Sequence, residues 1–286
     1  MKTSSWSWRS VLSMSAMIVG CQNAASQGAD GDPHPAKQAY VGVEQWAATA
    51  PGDVDLKNFT PFRAVYERHY RDHNGEPRQD RVIITAEDVA WGEEAAIMVS
   101  LIDAGSLDYS DTNARAQVRY FAKDDLRLLF QLTPATGTAK DYSLIRADDG
   151  ELHMTTVKTA TGEVEHQTRP SAPPGFGVPG AWLFGSMALS EGMQIRFDPY
   201  YAPASSNILG AAPSRVIGRA SIDTPSGERQ EAWVLERPLG MTGPRLILTY
   251  VVDRPPYFLG KKPIDADTGE TTQVGSMRLI EFQAFP

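Results

Sequence analysis

Apolar positions recur in short runs with turn-forming residues between them, and this pattern predicts a β-rich chain. The run at 62–70 begins with alternating apolar and polar residues and is followed by Asn74-Gly75, a strong hairpin signal. Because no helical pattern of sufficient length separates the runs, the rhythm favours an antiparallel meander over parallel βαβ units. The further predicted strands are 81–85, 95–102, 117–121, 126–132, 142–146, 152–158, 193–197, 215–223, 230–237, 245–252 and 275–285.

Three segments depart from this rhythm. Residues 171–180 are rich in proline and glycine and predict a break between two halves of the domain. Residues 181–189 predict one short helix, with Gly192 near its C-terminal end. The run at 245–252 is apolar on both faces, which predicts a central strand that is covered on both sides.

The first 21 residues have the pattern of a secretory leader. Lys2 and Arg9 precede a short run of mostly small and apolar residues, so residues 1–20 are predicted to be a signal peptide. The following Cys21 is the only cysteine, and Ile18-Val19-Gly20-Cys21 resembles the lipobox of bacterial lipoproteins. That resemblance implies cleavage before Cys21 and acylation of this residue, palmitate included. The alternative is an ordinary signal peptide with a chance cysteine.

The resemblance also implies a place in the cell. Gln22 follows the cysteine where an aspartate often favours the inner membrane in such lipoproteins, so we expect the periplasmic side of the outer membrane. Residues 21–40 are mostly small and polar and predict a flexible, lipid-anchored tether. Residues 41–286 are then expected to form a single β-rich periplasmic domain.

Composition excludes several classes of partner and chemistry. The net charge is −8, and loss of the two basic residues of the leader brings the body to about −10, which argues against nucleic acid and anionic headgroups. With Cys21 acylated, no thiol remains for a disulfide, a nucleophile or a metal.

The second half resembles uncharacterised periplasmic proteins that are distantly related in fold to the lipoprotein carriers LolA and LolB. The matching stretches are 182–192, 216–227, 232–235 and 249–257. The resemblance implies a strongly curved antiparallel sheet, an incomplete barrel, with a short helix near 181–190 in its concavity. In the carriers that concavity holds acyl chains, but no ligand-binding residue of a carrier can be mapped onto this chain.

Large apolar residues of the predicted core are the candidate ligand-binding set. Such residues line an apolar cavity if the concavity is hollow, and they form an ordinary core if it is filled. Aromatic residues at 200–201 and 256–259 lie in predicted loops, where they either mark an exposed rim or pin the loops to the sheet. The candidate set is Tyr66, Trp182, Phe184, Met187 and Trp233.

No motif predicts catalysis. His69 and His73 would share a face of a strand but lie about 13 Å apart, too far to bind one metal ion. Gly185-Ser186 lacks the flanking glycines of a nucleophile elbow. We therefore expect no catalytic residue, no cofactor and no metal.

The sequence thus predicts a membrane-anchored lipoprotein that binds or carries a lipophilic ligand or a lipidated partner in a concave sheet. The alternative is a scaffold of an envelope complex that uses loops and edge strands. The third is a hydrolase with an unrecognised site. A carrier needs an apolar pocket of roughly 300 Å³, a scaffold an unpaired edge strand, and a hydrolase histidines converging with an acid.

Overall fold

The structure is a computed structural model that describes residues 32–71, 75–103, 116–134, 141–148, 151–170, 181–196, 213–253 and 256–285. The leader with Cys21, His73, the predicted break at 171–180 and the aromatic pair at 200–201 lie outside the described residues. The strands are β1 (Phe62–Arg71), β2 (Pro77–Trp91), β3 (Glu94–Asp103), β4 (Ala116–Ala122), β5 (Leu128–Thr133), β6 (Asp141–Asp148), β7 (Glu151–Lys158), β8 (Val164–Pro170), β9 (Gln194–Ile195), β10 (Ser214–Asp223), β11 (Arg229–Pro238), β12 (Arg245–Asp253), β13 (Pro256–Asp265) and β14 (Met277–Ala284).

All fourteen strands belong to one curved antiparallel sheet that does not close into a barrel. Its order is β8-β7-β6-β5-β4-β3-β2-β1-β14-β13-β12-β11-β10-β9. Every neighbouring pair is consecutive in the chain except β1 and β14, whose pairing joins two meanders, and β8 and β9 lie at the two edges. The mainly β, curved and open architecture expected from the sequence is confirmed.

Alternation of buried and half-buried residues gives the concave face its core. On β2, Val82, Ile84 and Ala86 are buried, and the residues between them are only partly covered. Opposite residues of neighbouring strands share a face, so Ala86 lies beside Val99 of β3 and Phe62 of β1 in one core. The core runs from β7 to β9 across the sheet.

β13 corrects one part of the sequence-based picture. Residues 256–259 were expected in a loop, but Pro256 begins a ten-residue strand that pairs with β12 along its length. Phe258 and Leu259 are buried, so the aromatic cluster there is part of the sheet and not an exposed rim. β12 consequently lies between β11 and β13. It has buried residues on both of its faces, as the sequence predicted.

The short helix is a 3-10 helix over Ala181–Ser186, and it ends three residues earlier than expected. It packs on β12 and β13 with all six residues buried. Gly185 approaches the sheet so closely that a Cβ there would lie 2.0 Å from the carbonyl oxygen of Val252. Only glycine allows this contact, which brings the helix backbone directly onto the sheet.

The described part of the predicted tether is not flexible chain. Pro35–Tyr40 forms a 3-10 helix in which Lys37 and Tyr40 are buried against the body. Within the segment that the sequence predicts to be a tether, the side chains of Lys37 and Tyr40 therefore pack against the body. Three more 3-10 helices follow, at Val43–Gln45, Pro51–Asp53 and Leu56–Asn58. Within the described ranges, no helix is both long and apolar enough to cross a bilayer.

The contact of Gly185 with the sheet yields a prediction about stability. Gly185→Ala should lower the free energy of unfolding by about 3 kcal/mol, because the added methyl group must push the helix away from the Val252 carbonyl. Gly243→Ala is the matched control, since a Cβ there meets no atom within 4 Å. Urea unfolding followed by tryptophan fluorescence measures both variants, and equal midpoints for them would contradict the close packing.

Candidate functional site

The structure brings most of the candidate ligand-binding residues into one buried cluster. Tyr66 comes from β1, Trp182 and Phe184 from the short helix, and Met187 follows that helix and bridges to Val54. All four belong to the main core and are at most 5% exposed. The fifth residue, Trp233 on β11, is only half-buried and packs at the border of this core.

The side chains of this cluster pack against other residues of the domain. The Trp182 ring centroid lies 5.1 Å from that of Phe59 and 5.9 Å from that of Phe62. The Tyr66 ring lies 5.2 Å from Phe258, and its hydroxyl donates to the Phe258 carbonyl oxygen at 2.9 Å. Burial raises the pKa of Tyr66, so the phenol remains a neutral donor. Around these residues the concavity is a packed core.

Trp233 stands apart from that cluster. The Arg219 guanidinium carbon lies 4.1 Å from the centre of the Trp233 ring, a cation–π contact, and Arg219 also pairs with Asp253 at 3.4 Å. The side chain of Arg219 on β10 therefore links Trp233 on β11 with Asp253 on β12.

Two polar atoms of the short helix are buried without a hydrogen bond to any described residue. They are the indole Nε1 of Trp182 and the hydroxyl oxygen of Ser186. Each such group costs about 1–3 kcal/mol relative to the hydrated state. The helix is thus held by apolar contacts and by its backbone, including the bond from the Asp55 N–H to the Ser186 carbonyl oxygen.

The histidines do not converge. His69 on β1 lies 3.3 Å from Glu67, whereas His153 and His166 lie on β7 and β8, at least six strands away in the sheet. His166 contacts Thr155 and His153 contacts Thr168, all on a strand surface. Among the described residues, no group of three or more histidine, cysteine, aspartate or glutamate side chains could hold a metal ion.

Residues 33–46, named here the N-terminal strap, form a docking contact that the sequence did not predict. The His34 N–H donates to the Met241 carbonyl oxygen at 3.1 Å, and Lys37 Nζ donates to that of Leu239 at 3.2 Å. The Tyr40 hydroxyl donates to the backbone carbonyl oxygen of Glu236 at 2.7 Å. Burial lowers the pKa of Lys37 and raises that of Tyr40. The presence of Tyr40 and Trp46 was the one sign of this contact in the sequence, because a tether surrounded by water does not need large aromatic side chains.

The chain that leaves the strap then covers one edge of the sheet. Arg196, directly after β9, donates to the Glu44 carbonyl oxygen at 2.9 Å, and its own carbonyl oxygen accepts from the Thr49 N–H at 2.7 Å. The bridge from Val54 to Met187 continues the path towards the helix. The edge at β9 is therefore short and covered.

The opposite edge is different. In the part of the chain that the structure describes, β8 pairs with β7 along 164–170 and has no strand on its other side. Its exposed residues include Val164 and Thr168. An edge strand can accept another strand on its outer side.

The chain is only distantly similar to known proteins. No family model matches it, and no curated protein does either. Among solved structures, a DUF1329 family protein from Desulfovibrio piger shares 11% sequence identity, with 80% of this chain and 85% of that chain covered at a TM-score of 0.25. Backbones that diverge this far carry no argument about function.

The docking of the strap can be tested at Tyr40. Tyr40→Phe should lower the free energy of unfolding by about 1–2 kcal/mol, because it removes the donor to the Glu236 carbonyl oxygen and leaves that oxygen without this partner. Tyr142→Phe is the control, since Tyr142 is an exposed tyrosine on β6. Thermal unfolding and limited proteolysis near residue 40 give the readouts, and a strap that is equally protected in both variants would refute the docking role.

Proposed function

We propose that this protein is a lipoprotein of the bacterial cell envelope, anchored through Cys21 on the periplasmic side of the outer membrane. The lipobox-like sequence before Cys21 supports the anchor, and the absence of an aspartate after it supports the outer membrane. In this proposal the body is a non-catalytic scaffold that docks an envelope protein. The single observation that carries the docking role is the edge of β8, which has no strand on its outer side among the described residues.

The strands at the two edges, β8 and β9, differ in length and in how they are protected from pairing with another chain. Proteins protect edge strands by making them very short or by covering them, and both devices are present at β9. β8 has seven residues, and its outer side has no covering strand among the described residues. A partner that adds an extended segment to the outer side of β8 would continue the sheet by one strand.

A second candidate function is the carriage of a lipophilic molecule or a lipidated partner, suggested by the distant resemblance to LolA and LolB. The packed cluster around Trp182 leaves a ligand no room there unless the short helix moves. One observation favours such movement, which is the pair of buried, unbonded polar atoms in that helix. Displacement of the helix would hydrate both atoms and expose the apolar concave face.

The anchor is tested by Cys21→Ser. The variant should lose its acyl mass and leave the outer-membrane fraction, while a matched serine variant, Ser26→Ala, should fractionate like the parent chain. Mass spectrometry of the purified chain and membrane fractionation report the two effects. Unchanged membrane association of Cys21→Ser would refute the lipid anchor.

The docking role is tested by photocrosslinking in cells. A photoreactive phenylalanine analogue in place of Thr168 on β8 should give one discrete adduct with an envelope protein. Arg146 is the control position, because Thr168, His153 and Arg146 lie in one row on the same face, with Arg146 two strands in from the edge. Equal crosslinking at the two positions, or none at either, would contradict docking at the edge.

The carrier function is tested by native mass spectrometry of the anchored chain, beside an unrelated lipoprotein with the same type of anchor. A carrier should retain about one non-covalent lipid per chain beyond the control, since the apolar face would stabilise one acyl ligand by burial. Identical lipid content in the two proteins would exclude the carrier function.

A further inference from the structure

One end of the sheet, named here the strap end, is where the chain enters the body. His34 bonds to Met241 in the loop between β11 and β12, and its Nε2 lies 3.1 Å from Asp267 in the loop after β13. The strand registers place the C-terminal end of β3 at this same end, because Asp103 pairs with Val82 near the start of β2. The last residues of β5 and β7 lie at this end too, since strand direction alternates across the meander.

Exposed apolar side chains collect at the strap end. Ile102 is the second-last residue of β3, Tyr142 the second residue of β6, Val164 the first of β8, and Leu239 follows β11. These four residues, named here the apolar rim, are 37% to 50% exposed. Tyr142 and Val164 share a face through Val157, which pairs with both.

The distribution of exposed apolar residues is uneven. Of the six large apolar residues that are exposed in the described ranges, four form the apolar rim and a fifth, Val41, belongs to the strap. The sixth, Ile217, lies within β10. Single exposed apolar residues are ordinary on a protein surface, and these four lie on separate strands, so what they share is their position at one end of the sheet.

We infer that the strap end faces the lipid surface and that the apolar rim rests in the headgroup region of the membrane. The inference rests on the proposed anchor at Cys21. Ten residues lie between Cys21 and Asp32, where the described chain begins, so these two residues are at most about 40 Å apart. The chain therefore enters the body at the strap end within that distance of the acyl anchor.

The chemistry of the rim fits a lipid interface. Tyrosine has an apolar ring and a polar hydroxyl, and such side chains are at home at the level of lipid headgroups. The negatively charged body is not attracted to anionic lipid. Apolar contact and the acyl anchor therefore hold the strap end against the membrane. The strands then rise from the membrane, and β8 presents its edge to partners in the periplasm.

The sole cysteine of the chain makes a direct test possible. If acylation consumes the Cys21 thiol, one engineered cysteine per variant can carry an environment-sensitive fluorophore. Tyr142→Cys and Val164→Cys probe the apolar rim. Glu93→Cys and Ser226→Cys are the controls, because both residues are exposed in turns at the opposite end, after β2 and after β10.

The mature full-length chain is checked for acyl mass and placed in phosphatidylcholine vesicles with or without nitroxide-labelled lipid. The rim fluorophores should show a blue shift of emission and a loss of intensity with nitroxide lipid, and the control fluorophores should show neither. Equal responses at the two ends, or rim fluorophores that stay in water, would overturn the orientation while leaving the anchor intact. A mature chain with a free Cys21 thiol and no acyl mass would instead overturn the anchor.

Discussion

The pairing of β1 with β14 is the constraint on which the rest of the structure depends. Every other pair in the sheet joins strands that are consecutive in the chain, so this ladder alone connects the first meander with the second. It pairs Phe62 with Ala284 and Arg68 with Met277, at a separation of more than two hundred residues. The entropy lost in closing such a loop is repaid by packing on both sides of the ladder.

Side chains around β1 show how this ladder is stabilised. Phe62 stacks on Phe282 with ring centroids 5.6 Å apart and meets Trp182 of the short helix edge to face. On the other end, Glu67 accepts hydrogen bonds from Gln79 of β2 and Arg278 of β14, so one carboxylate links three strands. The helix and the two meanders are therefore linked through the same strand pair, β1 and β14.

The short helix and the chain around the strap cover different parts of the sheet. The helix brings Gly185 against the carbonyl oxygen of Val252 on β12. Glu44 and Thr49 contact Arg196 directly after β9, whereas β8 at the other edge has one strand partner among the described residues.

Local sequence patterns predicted most strands and turns of this protein. Contacts between distant segments decided which strands pair across the sheet and which side chains are buried. Alternation at 62–70, the hairpin signal at Asn74-Gly75 and the turn at Pro225-Ser226-Gly227 are local, because side-chain period and turn chemistry act over a few residues. The β1–β14 pairing, the strand at Pro256–Asp265 and the burial of Lys37 and Tyr40 depend on residues far apart in the chain. No short window contains both partners of such contacts, so burial of apolar surface between distant segments decided them. For the same reason, the sequence could name Trp182 and Tyr66 as members of one apolar set, whereas only the packing showed that they fill the concavity around them.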